Sequence, residues 1–260
     1  MHLWRGMEVT DGLILTTDLS VTDNKERFRV GIWGGTNARG SYKEFDYYLS
    51  CTYRGISLAI WDIYNFSPQT DYNNEDFFNY KARETGRFID VTLFGTVSRS
   101  IPLKLSYSTI VYGRDRNGLN SRNRYSTFAY AEYTVWSNEQ WTITPGMGAA
   151  FALSPGRDEQ GILTPGNFYG ETAGIVHVSL TATYHLHILD HEFPLYILAL
   201  WNPQADKGYL QEEYNSSHSD NKSPAVESLI LISASRTMER LGHVGFLIFS
   251  RINSAALLPI

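Results

Sequence analysis

Cysteine is almost missing from this chain: Cys51 is the single thiol in 260 residues. That excludes an internal disulfide and any multi-thiolate zinc or iron–sulfur centre. Long apolar runs are missing too. The run Leu195–Trp201 is among the longest, far short of the roughly 18 residues that a membrane-crossing helix needs. A strong charge of one sign is also absent. With 22 Lys+Arg against 27 Asp+Glu the net charge is −5, and the chain lacks the basic stripe of a nucleic-acid binder. No window shows the i, i+3, i+4, i+7 apolar spacing of an amphipathic helix. The first residues, Met1-His2-Leu3-Trp4-Arg5-Gly6, hold neither a basic n-region nor an apolar h-region, so no signal peptide is expected within them. They read either as a mature N-terminus or as the start of a cytosolic protein.

What is present is aromatic and glycine-rich: 17 Tyr, 13 Phe, 6 Trp and 21 Gly. The hydrophobic period is two. Leu13, Leu15, Leu19 and Val21 share one face of a segment whose other face holds Ile14, Thr16, Asp18 and Ser20. Phe28, Val30 and Ile32 alternate with Arg27, Arg29, Gly31 and Trp33. Phe45, Tyr47, Leu49, Cys51 and Tyr53 alternate with Glu44, Asp46, Tyr48, Ser50, Thr52 and Arg54. Such alternation, with β-branched and aromatic enrichment, predicts strands. About twelve are expected, at 2–8, 12–21, 27–36, 43–54, 56–65, 87–98, 103–113, 125–136, 141–153, 173–188, 194–202 and 225–238. In the fifth, Leu58 and Ile60 lie on one face, but Ala59, Trp61 and Ile63 lie on the other; a bulge near Asp62 would reconcile them.

The connections carry a second signal. Thr22–Glu26, Gly55, Arg99–Pro102, Ser137–Gln140 and Leu189–Phe193 are short. The intervening set, Thr36–Tyr42, Phe66–Gly86, Arg114–Arg124, Ser154–Thr172 and Pro203–Pro224, is mostly long and polar; Thr10–Gly12 alone is short. Tight turns at one end and long loops at the other are the layout of an outer-membrane β-barrel. Strands of about 10 residues suit a tilted membrane crossing better than the five or six usual in globular sheets. A soluble antiparallel sandwich or barrel is the alternative, but its apolar face would line a dry core. The expected fold is therefore all-β: a closed, up-and-down antiparallel transmembrane β-barrel of about twelve strands over residues 1–238, termini at the periplasmic end. Tyr47, Tyr53, Tyr107, Tyr133 and Trp141 would contribute to interfacial girdles near strand ends.

Against this background, Leu3-Trp4-Arg5-Gly6, Gly31-Ile32-Trp33-Gly34 and Glu44-Phe45-Asp46-Tyr47-Tyr48 resemble the TorF-like porins of Gram-negative bacteria. Ser233-Ala234-Ser235-Arg236-Thr237-Met238 is similar to that family's closing strand. The resemblance spans residues 2–238 and is specific only near the N-terminus. It implies an outer-membrane location, a twelve-stranded barrel, a pore function and no catalytic residues. Residues 239–260 depart from it, since such barrels finish on the last strand with an aromatic residue. Gly242–Ile252 would be a thirteenth strand where even numbers are the rule, so this tail reads as a periplasmic extension or a non-native end.

Two chemical temptations are weighed and set aside. His177-Val-Ser179 has the His-x-Ser spacing of lipid-modifying barrel enzymes, because i and i+2 share a strand face. Here the pair shares the polar, inward face with Thr181, Thr183 and His185, away from any lipid substrate, and Leu180 stands where Asn commonly follows. His185, His187 and His191, with Asp190 and Glu192, suggest a metal site but read better as a polar rim. The loops Asp71–Asp76 and Asn215–Asn221 lack calcium-loop spacing. No catalytic, cofactor or metal role is assigned. The expected lumen carries mixed charge: Asp18, Arg27, Arg29, Glu44, Asp46, Arg54, Asp90, Lys104 and Glu132, with Gly31, Gly35, Gly146, Gly148 and Ala150 leaving room for water. Such rings bias ion selectivity. The functional expectation is passive passage of small hydrophilic solutes or ions. The rival is a non-conducting barrel that binds ligands or partners through its outer loops, where Tyr72, Phe77, Phe78 and Tyr80 offer aromatic contacts. Outer-membrane lipid and small solutes are the expected partners, and nucleic acid is not.

Overall fold

The structure is a computed structural model that describes residues 1–68, 75–98, 100–188, 191–219 and 226–239. The described chain is all-β and holds no helix. Its strands in order are β1 (His2–Trp4), β2 (Met7–Thr10), β3 (Ile14–Thr22), β4 (Phe28–Asn37), β5 (Lys43–Tyr53), β6 (Ile56–Asn65), β7 (Phe88–Ser98), β8 (Ile101–Gly113), β9 (Ser126–Tyr133), β10 (Trp136–Ser137), β11 (Trp141–Ala152), β12 (Gly156–Arg157), β13 (Leu163–Thr164), β14 (Gly174–Ile188), β15 (His191–Asn202), β16 (Lys207–Ser219) and β17 (Val226–Glu239). β1 and β2 form their own hairpin, as do β12 and β13. The others make one antiparallel sheet, in which neighbours in sequence are neighbours in space. β17 pairs with β3 from Val226↔Val21 to Ser233↔Ile14. β9 pairs with β8 and also with β11, from Gly146↔Glu132 to Ala152↔Ser126.

The strand count agrees with the sequence, but its membership differs at two places. Residues 2–10 fold as the β1–β2 hairpin outside the large sheet. Residues 207–219, expected within a long loop, form β16 and pair on both sides with β15 and β17. The segment Gln211-Glu-Glu-Tyr-Asn-Ser-Ser-His-Ser219 has no apolar alternation to announce a strand; its backbone groups are satisfied by two neighbours instead. One consequence is geometric. β3 and β4, β5 and β6, and β7 and β8 still follow one another at one end of the sheet, and β6 and β7, β8 and β9, and β11 and β14 at the other. However, β3 begins and β17 finishes at the long-connection end, where the sequence reading placed no terminus.

The two faces of the sheet differ in the sense opposite to a soluble core. Leu15, Leu19, Val21, Val30, Leu49, Leu58, Leu105 and Leu180 are exposed. Thr16, Asp18, Ser20, Asp46, Asp90, Ser108 and Ser179, from the opposite face of the same or adjoining strands, are buried. Strand pleating puts alternate residues on opposite faces, so the period-two pattern becomes this separation directly. Cys51 lies on the apolar face, half-buried, opposite Phe28 and Leu58.

Strand β6 keeps continuous register with β5, from Glu44↔Asn65 to Tyr53↔Ile56, and with β7. The bulge expected near Asp62 is absent. Trp61 and Ile63 stay on the polar face, where they join an apolar cluster of Phe88, Ile110, Phe128, Tyr169 and Val176, with Trp4 and Phe168 against it. Asp62 is left on the apolar face and is neutralised there. Arg87, almost fully buried, donates to Asp62 at 2.8 Å and to the Phe77 carbonyl at 2.8 Å. Its guanidinium lies 4.5, 4.7 and 4.8 Å from the ring centres of Tyr64, Phe77 and Tyr80. Tyr80 donates to Asp62 at 2.7 Å. The connection 66–87 therefore folds over the apolar face in its described part, leaving Phe78 79% exposed.

The glycines on the polar face also differ from expectation. A side chain at Gly31 would collide with the Tyr48 ring, one at Gly35 with Trp33, and those at Gly146 and Gly148 with Tyr130 and Phe128. Aromatic rings lie flat over these positions, so the space is filled by side chains. Ala150 is fully buried in the apolar cluster.

Candidate functional site

The polar face carries several charged groups and receives the β1–β2 hairpin. The turn between β1 and β2 is Arg5-Gly6, both with positive φ (50° and 86°), the left-handed pair that a tight two-residue hairpin demands. Gly6 is needed twice over, because a β-carbon there would also strike the Val176 carbonyl. The turn delivers Arg5 to Asp90 in a two-pronged pair: Nη1 donates to Oδ2 at 2.6 Å and Nη2 to Oδ1 at 2.8 Å. Nη1 also donates to the Tyr169 hydroxyl at 2.6 Å, and Nη2 to Thr92 at 3.1 Å. Thr92 in turn donates to Asp90 at 2.7 Å, and its hydroxyl lies 2.9 Å from that of Ser108, which can donate back to it. Burial by itself would lower the Arg5 pKa. Tyr169 and Asp90 outweigh it, and the guanidinium is held above its ordinary value. Burial pushes the Tyr169 hydroxyl upward, against the opposing pull of Arg5.

On its other side the hairpin reaches β14 and β15. Asn202 donates to the Gly6 carbonyl at 2.9 Å, and Trp4 packs on Phe88, Phe168 and Tyr169 at ring distances of 5.8, 5.9 and 5.4 Å. Met1 and Leu3 pack against Leu200 and Tyr209. A segment of ten residues thus touches β7 and β15, which lie far apart in the strand order.

Of the nine charged residues expected on the polar face, seven are there. Asp18 accepts from Arg29 at 3.3 Å and from the Tyr48 hydroxyl at 2.8 Å, and Arg29 Nε donates to that hydroxyl at 3.1 Å. Glu44 accepts from Asn65 at 3.0 Å, and Asp46 from the Tyr64 amide at 3.1 Å. Lys104 pairs with Glu132 at 2.9 Å, and Tyr130 donates to the same carboxylate at 3.1 Å. Asp90 is held by Arg5. Arg27 and Arg54 are corrected: both are exposed and sit in or beside the short turns 23–27 and 54–55. Arg27 lends its amide to Asp23 at 2.6 Å, and the Arg54 guanidinium lies 5.2 Å over Tyr53. Both belong to the alternating pattern in sequence, but they stand at the exposed short-turn end of the sheet, where the Arg27 carbonyl still accepts from the Thr52 amide at 2.7 Å.

His177 and Ser179 do share the polar face, paired with Gly148 and Gly146. They are not hydrogen-bonded to each other. The imidazole packs edge-on to Tyr130 at 5.1 Å, and both its nitrogens are buried without a partner, while Ser179 donates to the Gly146 carbonyl at 3.5 Å. No proton path joins the pair. His185 is engaged through both nitrogens, with Thr142 at 2.9 Å and Glu192 at 2.6 Å. Among the described residues no group of three or more metal-ligating side chains is assembled. Asp190, the His191 side chain, Tyr72, the loop Asp71–Asp76 apart from Glu75 and Asp76, the side chains of Asn215–Asn221 and the tail after Glu239 lie outside the described residues.

Sequence reasoning missed Arg5, Tyr169 and Phe168 as interior residues. Arg5 follows a Leu-Trp dipeptide and precedes Gly, a turn signal that was there to be read. The packing of Tyr169 and Phe168 against the polar face has no local signature. Between β1–β2 and strands β4 to β7 lies a cavity of about 690 Å³, bordered by Trp4, Trp33, Trp61, Glu44, Asp46 and Arg114 among others. A second, of about 640 Å³, lies at the short-turn end beside Gln140, Thr142, His185 and Glu192. Compared with known protein families and with curated proteins, the chain matches none.

Proposed function

We propose that the sheet closes through β9 and β11 into a twelve-stranded barrel, that the barrel spans an outer membrane, and that small hydrophilic solutes or ions pass through it passively. The observation that carries this reading is the inversion of the faces. A continuous apolar surface is exposed while Asp18, Asp46, Asp90 and several hydroxyl residues of the other face are buried. Such a surface is unfavourable in water and favourable against acyl chains, and hydrocarbon admits helices and edge-free sheets, which leave no backbone group unpaired. Pairing of every long strand on both sides, including β17 with β3 and β9 with β11, supports the closure. The resemblance to TorF-like porins agrees with it. Planar-bilayer recordings on the purified, folded protein test the function: stepwise channels are expected, with ion selectivity that shifts on Arg29→Glu or Asp46→Lys.

One observation favours a second reading, a non-conducting barrel that holds ligands or partners. The β1–β2 hairpin crosses the polar interior and is fastened to β7 and β15. A bilayer that stays silent with the folded protein, and stays silent after Arg5→Ala, would discard the pore in favour of this reading.

A further inference from the structure

We infer that the cavity of about 690 Å³ under the β1–β2 hairpin is a binding site for a small organic cation, an amine or quaternary ammonium of a few carbon atoms. This deepens the proposed passage of small solutes by naming their class. The volume is that of small-molecule pockets, which run from about 300 to 1,000 Å³. Its walls combine two features that an ammonium group uses together. The first is aromatic faces. Trp33 and Trp61 border the space, with Trp61 stacked on Tyr48 at 4.2 Å, whereas Trp4 and Phe88 already carry Arg5 and Arg114 over their rings at 4.6 and 4.9 Å; ring faces carry negative potential and attract cations. The second is an excess of carboxylate. Glu8, Asp11, Glu44, Asp46 and Asp90 line the cavity, against Arg5 and Arg114.

The two arginines are already engaged. Arg5 is locked to Asp90, and Arg114 lies 4.9 and 5.1 Å over Phe88 and Phe168 while facing Glu44. Arg39 at the rim takes Asp11 at 2.9 Å. Glu44, which accepts from Asn65 and faces Arg114, and Asp46, which accepts from the Tyr64 amide, are the carboxylates of the inner wall. They are two positions apart on β5, so about 6.6 Å separates them along the strand. A cation between them relieves their repulsion. An anion would meet those carboxylates first. A neutral polyol could stack on the indoles but would leave the charge excess unmatched.

The test is a titration of intrinsic tryptophan fluorescence on the folded protein in detergent micelles. Choline chloride is the probe, with sodium chloride at equal ionic strength and glucose as controls. Saturable quenching by choline alone is expected, at least tenfold weaker in Asp46→Asn and in Glu44→Gln. Trp61→Phe is expected to retain binding, and heat-modifiable gel mobility verifies that each variant is folded. Wild-type protein supplies a readout free of mutation: choline added in bilayer recordings should lower single-channel current in a saturable way. Equal response to glucose and choline, or choline binding unchanged in both carboxylate variants, overturns the inference. The two proposals fail separately. Channels without choline binding remove the cation site and leave the pore. Choline binding by a protein that never conducts removes the pore and leaves the site.

Discussion

Breaking the pair between Arg5 and Asp90 is the perturbation with the largest expected effect. The Asp90 side chain is 1% exposed and that of Arg5 13%, so Arg5→Ala strands a buried carboxylate. Removing one partner of a buried pair costs about 3–5 kcal/mol, and here it also removes the donor to Tyr169. Two responses are open to the chain. If the hairpin stays docked, the whole cost appears as lost stability. If it undocks, water reaches Asp90, and the loss is limited to the packing of Trp4 against Phe88 and Phe168. Either way the Asp90→Asn and Arg5→Ala changes should not add. A double-mutant cycle, read from urea unfolding in lipid vesicles, should give a coupling of about 2–4 kcal/mol for so desolvated a pair. Amide exchange at Leu3–Met7 should accelerate in each single variant and identically in the double. A coupling below about 0.5 kcal/mol, with exchange unchanged, would refute the view that this contact fastens the hairpin.

Four further outcomes are expected. Gly6→Ala places a β-carbon against the Val176 carbonyl at positive φ and should loosen the hairpin as Arg5→Ala does; unchanged amide exchange at Trp4 would contradict the docked position. Arg87→Ala leaves Asp62 on the apolar face with the Tyr80 hydroxyl but without its counter-charge and should cost about 3 kcal/mol, whereas Asp62→Asn paired with Arg87→Met should recover most of it; vesicle unfolding curves measure both. His2 lies outside the long strands, its pKa lowered to about 4 chiefly by burial, so the unfolded chain binds its proton more readily. Stability of the hairpin should therefore fall as pH drops from about 6.5 to about 4 and level off below, and an NMR titration of the His2 ring with a midpoint near 6.5 would contradict that burial. Cys51 should react with a membrane-permeant maleimide and resist a charged one; quick labelling by the charged reagent would place it in water and break the register of β5.

The period-two alternation determined which residues go to which face. Leu15, Leu19 and Val21 were separable from Thr16, Asp18 and Ser20 by spacing alone, because the pleat has the same period, and seven charged positions of the polar face followed from it. Loop length likewise marked the connections 66–87 and 153–173 as the long end. Tertiary structure decided what spacing could not encode. The polar run at 207–219 became a strand because its neighbours supply backbone partners on both sides. Residues 2–10, which alternate much as the other segments do, were drawn out of the sheet by contacts 85 and 164 residues away, between Arg5 and both Asp90 and Tyr169. Glycines that looked like open space were roofed by rings, Gly31, Gly146 and Gly148 by those of adjoining strands. Pairings across the sheet depend on which strand lies beside which, and a local pattern carries the face of a residue but never the identity of its distant neighbour.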